Sequence, residues 1–295
     1  MIDFVRINYR DKSEFEPYID NPDNFREVFK VLESNTGEVL YPYRTRLDKM
    51  DIVVTEKGGY VKNSLHKLYN YIHSREDKNH NDFEYSKLCE TILHVSRIPD
   101  LTHTSLTNLE FGLNIRVDRP AEEILKKSVL MHNYKGYNHN RKFNGKGELK
   151  QFDHSNYVIK VYDKAKQYKL EYNVFRFEVK FTRRRDFNKV GVYNLDDLKS
   201  KDNLKELFKI YLMRFDEMLI LDEISEDSIE QLDYQKLLKF VNPKYWEEDI
   251  KTMSGTTRMR HRNQFNVIIE KYGLDSTKKE LRRLLVEKFD YLINH

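Results

Sequence analysis

Three segments of alternating polar and apolar residues carry side chains that could do chemistry. Successive side chains of a strand point to opposite faces, so each segment predicts a strand with one polar face. In segment 109–115 the polar face carries Glu110 and Asn114. In segment 156–164 it carries Lys160, Tyr162 and Lys164, and in segment 175–181 it carries Arg176, Glu178 and Lys180. If the three strands are neighbours, one sheet face carries two carboxylates, a tyrosine and several cations.

This combination of side chains is suited to breaking a phosphodiester. Carboxylate oxygens are ligands for Mg²⁺ or Mn²⁺, and such an ion can polarise the phosphate while a tyrosine attacks it. The simpler interpretation is ordinary strand alternation, with a solvated polar face that does no chemistry. The pattern by itself leaves both interpretations open.

The distribution of charge favours a polyanionic partner. The net charge is only +4, but residues 126–189 contain 17 Lys and Arg against 6 Asp and Glu, an excess of +11. Phosphate contacts dominate nucleic-acid affinity, so a basic segment of this kind predicts a path for DNA. The DNA contacts expected from the strands of this segment are Lys160, Arg176 and Lys180. The alternative is a solvated, lysine-rich surface. Directly after the third strand, Arg183, Arg184 and Arg185 form a basic cluster that predicts phosphate contacts or, alternatively, a solvated strand end.

Composition excludes several classes of protein. An aromatic content of 13% argues against disorder. The single cysteine, Cys89, excludes an intrachain disulfide framework and a multi-cysteine zinc site. We expect neither a signal peptide nor a membrane span, because the sequence contains no apolar stretch of about 20 residues. A cytoplasmic location is the expectation.

Apolar periodicity predicts an α+β fold, with a central antiparallel sheet flanked by helices and an α-helical C-terminal region. Strands are predicted at residues 4–7, 50–55, 59–62, 109–117, 157–162 and 174–181. Helices are predicted at 82–97, 121–131, 204–221, 228–240, 258–272 and 277–293, and a long loop at 132–155. We therefore expect a catalytic domain over residues 1–200 and a helical region over 201–295, with DNA binding as one role of the latter.

The segment Gly255–Arg262 begins the third of the four C-terminal helices, and a short turn containing Gly273 separates it from the fourth. Two such helices could form a helix-turn-helix reader of an origin. The favoured interpretation is an ordinary helical hairpin, since most helix pairs have no groove-reading role.

The chain resembles the rolling-circle replication initiators of the filamentous-phage gene II type. These are distantly akin to Rep-trans plasmid initiators and to the HUH endonuclease superfamily. The resemblance covers roughly residues 1–200 and lies in four ordered segments: Met1-Ile-Asp3, the Leu109-Glu110 strand leading to Arg119-Pro120, Val161-Tyr-Asp-Lys164, and Val174-Phe-Arg-Phe-Glu178.

The resemblance implies an endonuclease and strand transferase. A tyrosine at the position of Tyr162 becomes joined to the 5′-phosphate of DNA and leaves a 3′-OH to prime synthesis, and Lys164 could steady the leaving oxygen or the phosphate. The metal-binding acids correspond to Glu110, where the phage proteins have Asp, and to Glu178. The implied cofactor is Mg²⁺ or Mn²⁺. The implied partners are single-stranded or supercoiled phage or plasmid origin DNA, with a host replication helicase as a further candidate.

Some features depart from this pattern or leave it open. The superfamily is named for a His-hydrophobic-His metal motif, and no two of the ten histidines are two residues apart. The third metal ligand is therefore open between Asn114 and His66, although a surface or capping role is the favoured interpretation of His66. The tyrosines that compete as nucleophile are Tyr157, Tyr168 and Tyr172. A non-catalytic DNA-binding protein and a conjugative relaxase are the rival functions.

Overall fold

The computed structural model describes residues 1–25, 27–96, 98, 104–141 and 147–295. The chain divides into two compact units that are discontinuous in sequence. Unit 1 comprises Met1–Gly112, Val179–Ile210 and Phe289–His295, and unit 2 comprises Leu113–Glu178 and Tyr211–Lys288. The functional division into residues 1–200 and 201–295 stays a prediction.

Unit 1 is built on antiparallel strands with helices between them. In chain order its first elements are β1 (Ile2–Tyr9), α1 (Lys12–Asp20), β2 (Phe29–Leu32), β3 (Val39–Leu47), β4 (Met50–Val54), β5 (Gly59–Ser64), α2 (Leu65–Ser74) and α3 (Tyr85–Val95). Then β6 (Ser105–Arg116) leads into unit 2. Adjacent strands follow the order β2-β3-β4-β5-β1-β6. Ile2, Val5 and Ile7 are fully buried, which accounts for the central place of β1.

Unit 2 carries the strands on which the candidate chemistry lies. Its first elements are α4 (Ala121–Glu123), a π-helical turn at Ile124–Ser128, β7 (Val129–His132), β8 (Leu149–Asp153), β9 (Tyr157–Asp163), α5 (Lys164–Tyr168) and β10 (Val174–Phe181), whose last three residues belong to unit 1. The strand order is β6-β10-β9-β8. The three strands with polar faces are therefore neighbours, as the sequence analysis required.

Helices dominate the rest of the chain. They are α6 (Arg185–Asn188) in unit 1, α7 (Lys201–Asp216), which passes from unit 1 to unit 2, and then α8 (Gln231–Phe240), α9 (Pro243–Glu247), α10 (Gly255–Lys271) and α11 (Ser276–Asn294). Within unit 2, Leu237, Phe240, Trp246, Phe265 and Ile268 share one apolar core. The predicted α+β class with an antiparallel sheet and C-terminal helices is confirmed. None of the described helices is long and apolar enough to cross a membrane.

Three of the predicted elements were wrong. The helix predicted at 121–131 ends at Ser128, and Val129–His132 is a strand. The helix predicted at 204–221 ends at Asp216, because Met218–Ile220 forms a short strand, β11, that pairs with β7. The long loop predicted at 132–155 contains β8, and its residues 142–146 lie outside the described part of the chain. In each case strand pairing outweighs the local pattern.

Unit 2 also holds a pair of histidines, of which His132 is buried and His154 is half-buried. His132 Nδ1 lies 2.8 Å from His154 Nε2, and His132 Nε2 lies 3.0 Å from the carbonyl oxygen of Arg214. Because a carbonyl only accepts, Nε2 carries the proton and Nδ1 accepts from His154. Burial and the neighbouring His154 lower the pKa of His132 to about 3. Burial and Lys135 lower the pKa of His154 to about 4. Both rings are therefore neutral at pH 7.

We expect this pair to make the protein sensitive to acid. In the unfolded chain a histidine takes up a proton near pH 6.5, whereas the folded pair resists protonation down to about pH 4. Stability is thus fully present above pH 6.5 and is lost as the pH falls from there towards 4, by an amount on the order of 3 kcal/mol for His132. Urea unfolding between pH 7 and pH 4 measures the slope. His132→Gln should flatten it, and an unchanged slope in that variant would contradict the assignment.

Candidate active site

The site is centred on Glu178, in the middle of β10. Its Oε1 accepts a hydrogen bond from Lys160 Nζ at 2.8 Å. Its Oε2 accepts from Arg176 Nε at 3.0 Å and from the Tyr162 hydroxyl at 3.2 Å. All four residues belong to unit 2, on the adjacent strands β9 and β10. The alternation read from the sequence therefore brings the predicted tyrosine, one acid and two cations together.

The polar face at this point is buried and not solvated. Arg176 and Glu178 are each only 2% exposed, and Tyr162 is 7% exposed. Aromatic and β-branched residues on the other face of β10 favour a strand, and Phe175 and Phe177 are fully buried there. Both faces of β10 are thus covered. The charges of Arg176 and Glu178 stabilise one another because little water reaches either side chain.

The charges around Glu178 keep it ionised. Burial by itself would raise the pKa of this carboxyl, but Lys160 and Arg176 lower it well below its usual range. A carboxylate that holds its proton so weakly is a poor base at neutral pH. Glu178 is therefore suited to orient the Tyr162 hydroxyl and to hold the two cations, and less suited to remove the tyrosine proton.

Arg176 was expected to contact DNA, and its position is internal. Besides Glu178 it bonds Asn114, whose Oδ1 accepts from Arg176 Nη1 at 2.9 Å. Asn114 thus helps to fix the guanidinium. The sequence indicated this contact with Glu178, because Arg176 lies two residues before it on the same strand face. The sequence did not show that both side chains are buried.

Lys164 approaches Tyr162 from a helix and not from the strand. β9 ends at Asp163, whose side chain accepts a hydrogen bond from the Lys166 backbone N–H at 3.0 Å and so caps α5. Lys164 is the first residue of that helix and is 1% exposed. Its Nζ lies 5.3 Å from the centre of the Tyr162 ring and 5.0 Å from that of Tyr168. The Lys164 ammonium group is therefore close to Tyr162, although Lys164 lies on α5 and not on the strand, where the sequence placed it.

Three cations lie close together at this site. Lys160 and Arg176 bond Glu178, and Lys164 lies near the Tyr162 ring. In a site with little water, cations attract a phosphate more strongly than they would on a solvated surface. The Lys160 side chain is 27% exposed and gives the group its contact with solvent.

The oxygen donors fit a hard cation in their chemistry. Mg²⁺ and Mn²⁺ take carboxylate oxygens, and Arg176 already orients Glu178 from Oε2 in the way that outer-sphere partners orient metal ligands. A cation at Oε1 would have to displace Lys160, which is exposed enough to turn towards solvent. Asn114 is less suited to be a ligand, since its oxygen already accepts from Arg176. Among the residues the structure describes, no cluster of three or more His, Cys, Asp or Glu side chains could hold a metal.

Glu110, the other predicted metal ligand, lies in unit 1. Its Oε1 accepts from Lys180 Nζ at 2.7 Å, and that ammonium group also lies 4.6 Å from the centre of the Phe4 ring. The Lys180 side chain is 29% exposed. Glu110 thus has an ion-pair partner of its own, and a shared role with Glu178 stays a prediction.

His66 is buried, contrary to the favoured interpretation of a surface or capping residue. It is 4% exposed, its Nε2 lies 2.8 Å from Asn81 Oδ1, and its ring stacks on Phe83 at 4.8 Å. It lies at the start of α2, where Ser64 is the residue that caps the helix. These contacts make His66 a packed core residue of unit 1.

The competing tyrosines differ in environment. Tyr157 is 8% exposed, and its hydroxyl lies 3.5 Å from Glu217. Tyr168 is half-buried on the other side of Lys164. Tyr172 is 40% exposed beneath Arg116. Tyr157 also has a cation at its ring, since the Arg214 guanidinium lies 4.1 Å from the ring centre. Tyr162 has the shorter contact to a carboxylate, at 3.2 Å, and that carboxylate also accepts from Lys160 and Arg176.

The basic cluster that follows β10 is solvent-exposed. Arg183, Arg184 and Arg185 are all exposed and lie at the start of α6 in unit 1. Within the described ranges none of the three makes an ion pair. They remain candidates for phosphate contacts.

Reversing these three charges, by Arg→Glu at positions 183, 184 and 185, should weaken DNA binding across all sequences. Each lost phosphate contact should also reduce the slope of log K against log salt, by about 0.9 for duplex and about 0.7 for single-stranded DNA. Fluorescence anisotropy at several salt concentrations measures both effects. The control is Lys205→Glu with Lys209→Glu on α7, two exposed lysines that already pair with acids. A loss confined to one sequence, with the slope intact, would indicate base reading instead.

Comparison with known proteins gives limited information. No protein-family model matches the chain, and no curated protein does. Among solved structures, the chain is similar to the rolling circle replication initiator protein from Geobacillus stearothermophilus. The two share 13% sequence identity and a TM-score of 0.43, over 78% of this chain and 89% of that chain. An identity of 13% and a TM-score of 0.43 are too low to carry a function from that protein to this chain.

Proposed function

We propose that the chain is a DNA endonuclease and strand transferase that uses Tyr162 as its nucleophile. The observation that carries the proposal is the placement of the Tyr162 hydroxyl 3.2 Å from Glu178, within a group that has three cations and one carboxylate. A tyrosine close to three cations is suited to attack a phosphodiester, because the cations stabilise both the phenolate and the phosphate.

The reaction exchanges one phosphodiester for another. The Tyr162 oxygen forms a bond to phosphorus, and the bond from phosphorus to the 3′ oxygen breaks. The tyrosine proton passes to solvent, and the leaving 3′ oxygen takes a proton from Lys164 or from water. The 5′-phosphate stays on Tyr162 as a diester, so the energy of the broken bond is kept. Rejoining by the reverse steps needs no nucleotide cofactor.

Each neighbouring side chain has a defined part in this proposal. Glu178 orients the hydroxyl, Arg176 fixes Glu178, and Lys160 meets the incoming phosphate at the solvent side. Glu178 would hold a Mg²⁺ or Mn²⁺ ion, which would supply polarisation of the phosphate. Glu110 is the other acid that the sequence predicts as a ligand. Rolling-circle initiation at a phage or plasmid origin is the proposed role. Conjugative transfer uses the same chemistry and is the alternative.

Covalent capture tests the proposal. The chain is incubated with end-labelled single-stranded oligonucleotides with and without Mg²⁺ or Mn²⁺, and the products are separated on a denaturing gel. We expect a labelled band at the mass of protein plus a 5′-phosphorylated fragment, together with a free 3′-OH fragment. Binding without this band, across oligonucleotides that represent all short sequences, would identify a non-catalytic DNA-binding protein.

A further inference from the structure

The face of α10 that points away from the core has the composition of a base-reading surface. On its other side Phe265, Ile268 and Ile269 are buried in the apolar core of unit 2. The outward residues recur at helical spacing and are all exposed: Thr256, Met259, Arg260, Asn263, Gln264 and Val267. Two of them are large apolar side chains, with Met259 at 59% and Val267 at 61% exposure.

The charge of this helix matches a polyanion. Residues 255–269 contain three arginines, one histidine and no acidic residue, and the helix ends with Glu270 and Lys271. Arg262 packs its guanidinium 4.6 Å from the centre of the Tyr134 ring, and His261 bonds the Tyr245 hydroxyl, so both serve the fold. Arg258 and Arg260 have no ion-pair partner in the described part of the chain. The acid nearest to this face on α8, Asp233, is already paired with Lys271 at 3.0 Å.

The side-chain types on this face correspond to the base edges of the DNA major groove. Arginine bonds guanine, asparagine and glutamine bond adenine, and apolar groups contact the thymine methyl. The amides of Asn263 and Gln264 have no hydrogen-bond partner among the described residues, so they can bond a ligand. A helix of 17 residues is about 25 Å long and fits the groove, which is about 12 Å wide.

We infer that the α10 face reads a sequence in the major groove of duplex DNA. The inference builds on the proposed function by giving the nicking site a duplex element that fixes its position. It differs from the helical hairpin favoured in the sequence analysis only in the role of the outer face, because α10 still packs on the core. A protein partner is the rival occupant, and Arg260, which has no ion-pair partner among the described residues, together with the amides of Asn263 and Gln264 favours DNA.

The test selects binding sites from a randomised duplex library with the full chain carrying Tyr162→Phe, so that binding is measured without nicking. We expect the enrichment of one short motif. Asn263→Ala and Arg260→Ala should each relax one position of it and reduce the preference over a scrambled duplex by roughly 5- to 150-fold, the discrimination of one bidentate base contact. Arg283→Ala is the matched control, since this exposed arginine of α11 pairs with Glu280 at 2.6 Å.

The outcomes separate the inference from the proposed function. If both α10 variants preferred the motif as strongly as the parent chain does, the inference would be overturned, because another part of the chain would then recognise the motif. A library without any enriched motif would also overturn it and would leave the face to a protein partner. Formation of the covalent adduct on single-stranded DNA is measured separately and should persist in both α10 variants. The inference is supported if the α10 variants lose the motif and still form the adduct. If the parent chain selects a motif but forms no adduct, only the proposed nuclease function is rejected.

Discussion

Replacement of Tyr162 by phenylalanine should abolish the covalent adduct while DNA binding persists. The substitution removes one hydroxyl and its hydrogen bond to Glu178, so the free energy of unfolding should fall by only about 1 kcal/mol. Loss of a nucleophile reduces turnover by roughly 10³-fold or more. The two measurements are the adduct band on a denaturing gel and the affinity for single-stranded DNA by anisotropy.

Tyr157→Phe is the matched control for this prediction. Tyr157 is also buried, and its hydroxyl also lies near a glutamate, at 3.5 Å from Glu217. We expect this variant to form the adduct at the parental rate. If Tyr162→Phe stayed active and Tyr157→Phe, Tyr168→Phe or Tyr172→Phe lost the adduct, the nucleophile would be the other tyrosine.

Replacement of Glu178 by glutamine should remove activity and also lower stability strongly. Glu178 is the counter-ion of the buried Arg176 and of Lys160. Without its charge, the Arg176 guanidinium stays buried and uncompensated, which costs about 3–5 kcal/mol. Urea unfolding at pH 7 measures the loss.

Glu110→Gln provides the comparison for Glu178→Gln. Its partner Lys180 is 29% exposed, so the freed ammonium group can be hydrated and the cost should stay at or below about 1 kcal/mol. The double variant Glu178→Gln with Arg176→Met should recover much of the stability, since the buried Arg176 guanidinium that lost its counter-ion is then removed. Equal stability losses in the two single variants would contradict the account of Glu178 as a buried counter-ion.

The strands that carry the site could be predicted because their residues alternate. Phe175, Phe177 and Val179 mark one face of β10, so Arg176 and Glu178 had to share the other. The burial of that second face could not be predicted, since it depends on what the rest of the chain places over it. The predicted solvated face and the predicted DNA contact of Arg176 both assumed an open surface.

Local signals that compete with one another account for other differences. Lys164 continues the alternation of β9, but the Asp163 side chain caps a helix at that point and turns the chain. Residues 149–153 are mostly polar and read as loop, yet they pair with β9 in the register Leu149↔Tyr162. That pairing joins two consecutive strands, and the composition of the segment does not reveal it.

Peptide mapping of the trapped adduct tests the central claim most directly. The chain is reacted with a single-stranded oligonucleotide, the adduct is digested with protease and nuclease, and the modified peptide is sequenced by mass spectrometry. We expect a nucleotide attached through its 5′-phosphate to the peptide that contains Tyr162. A nucleotide on Tyr157, Tyr168 or Tyr172, with the Tyr162 peptide unmodified, would contradict it.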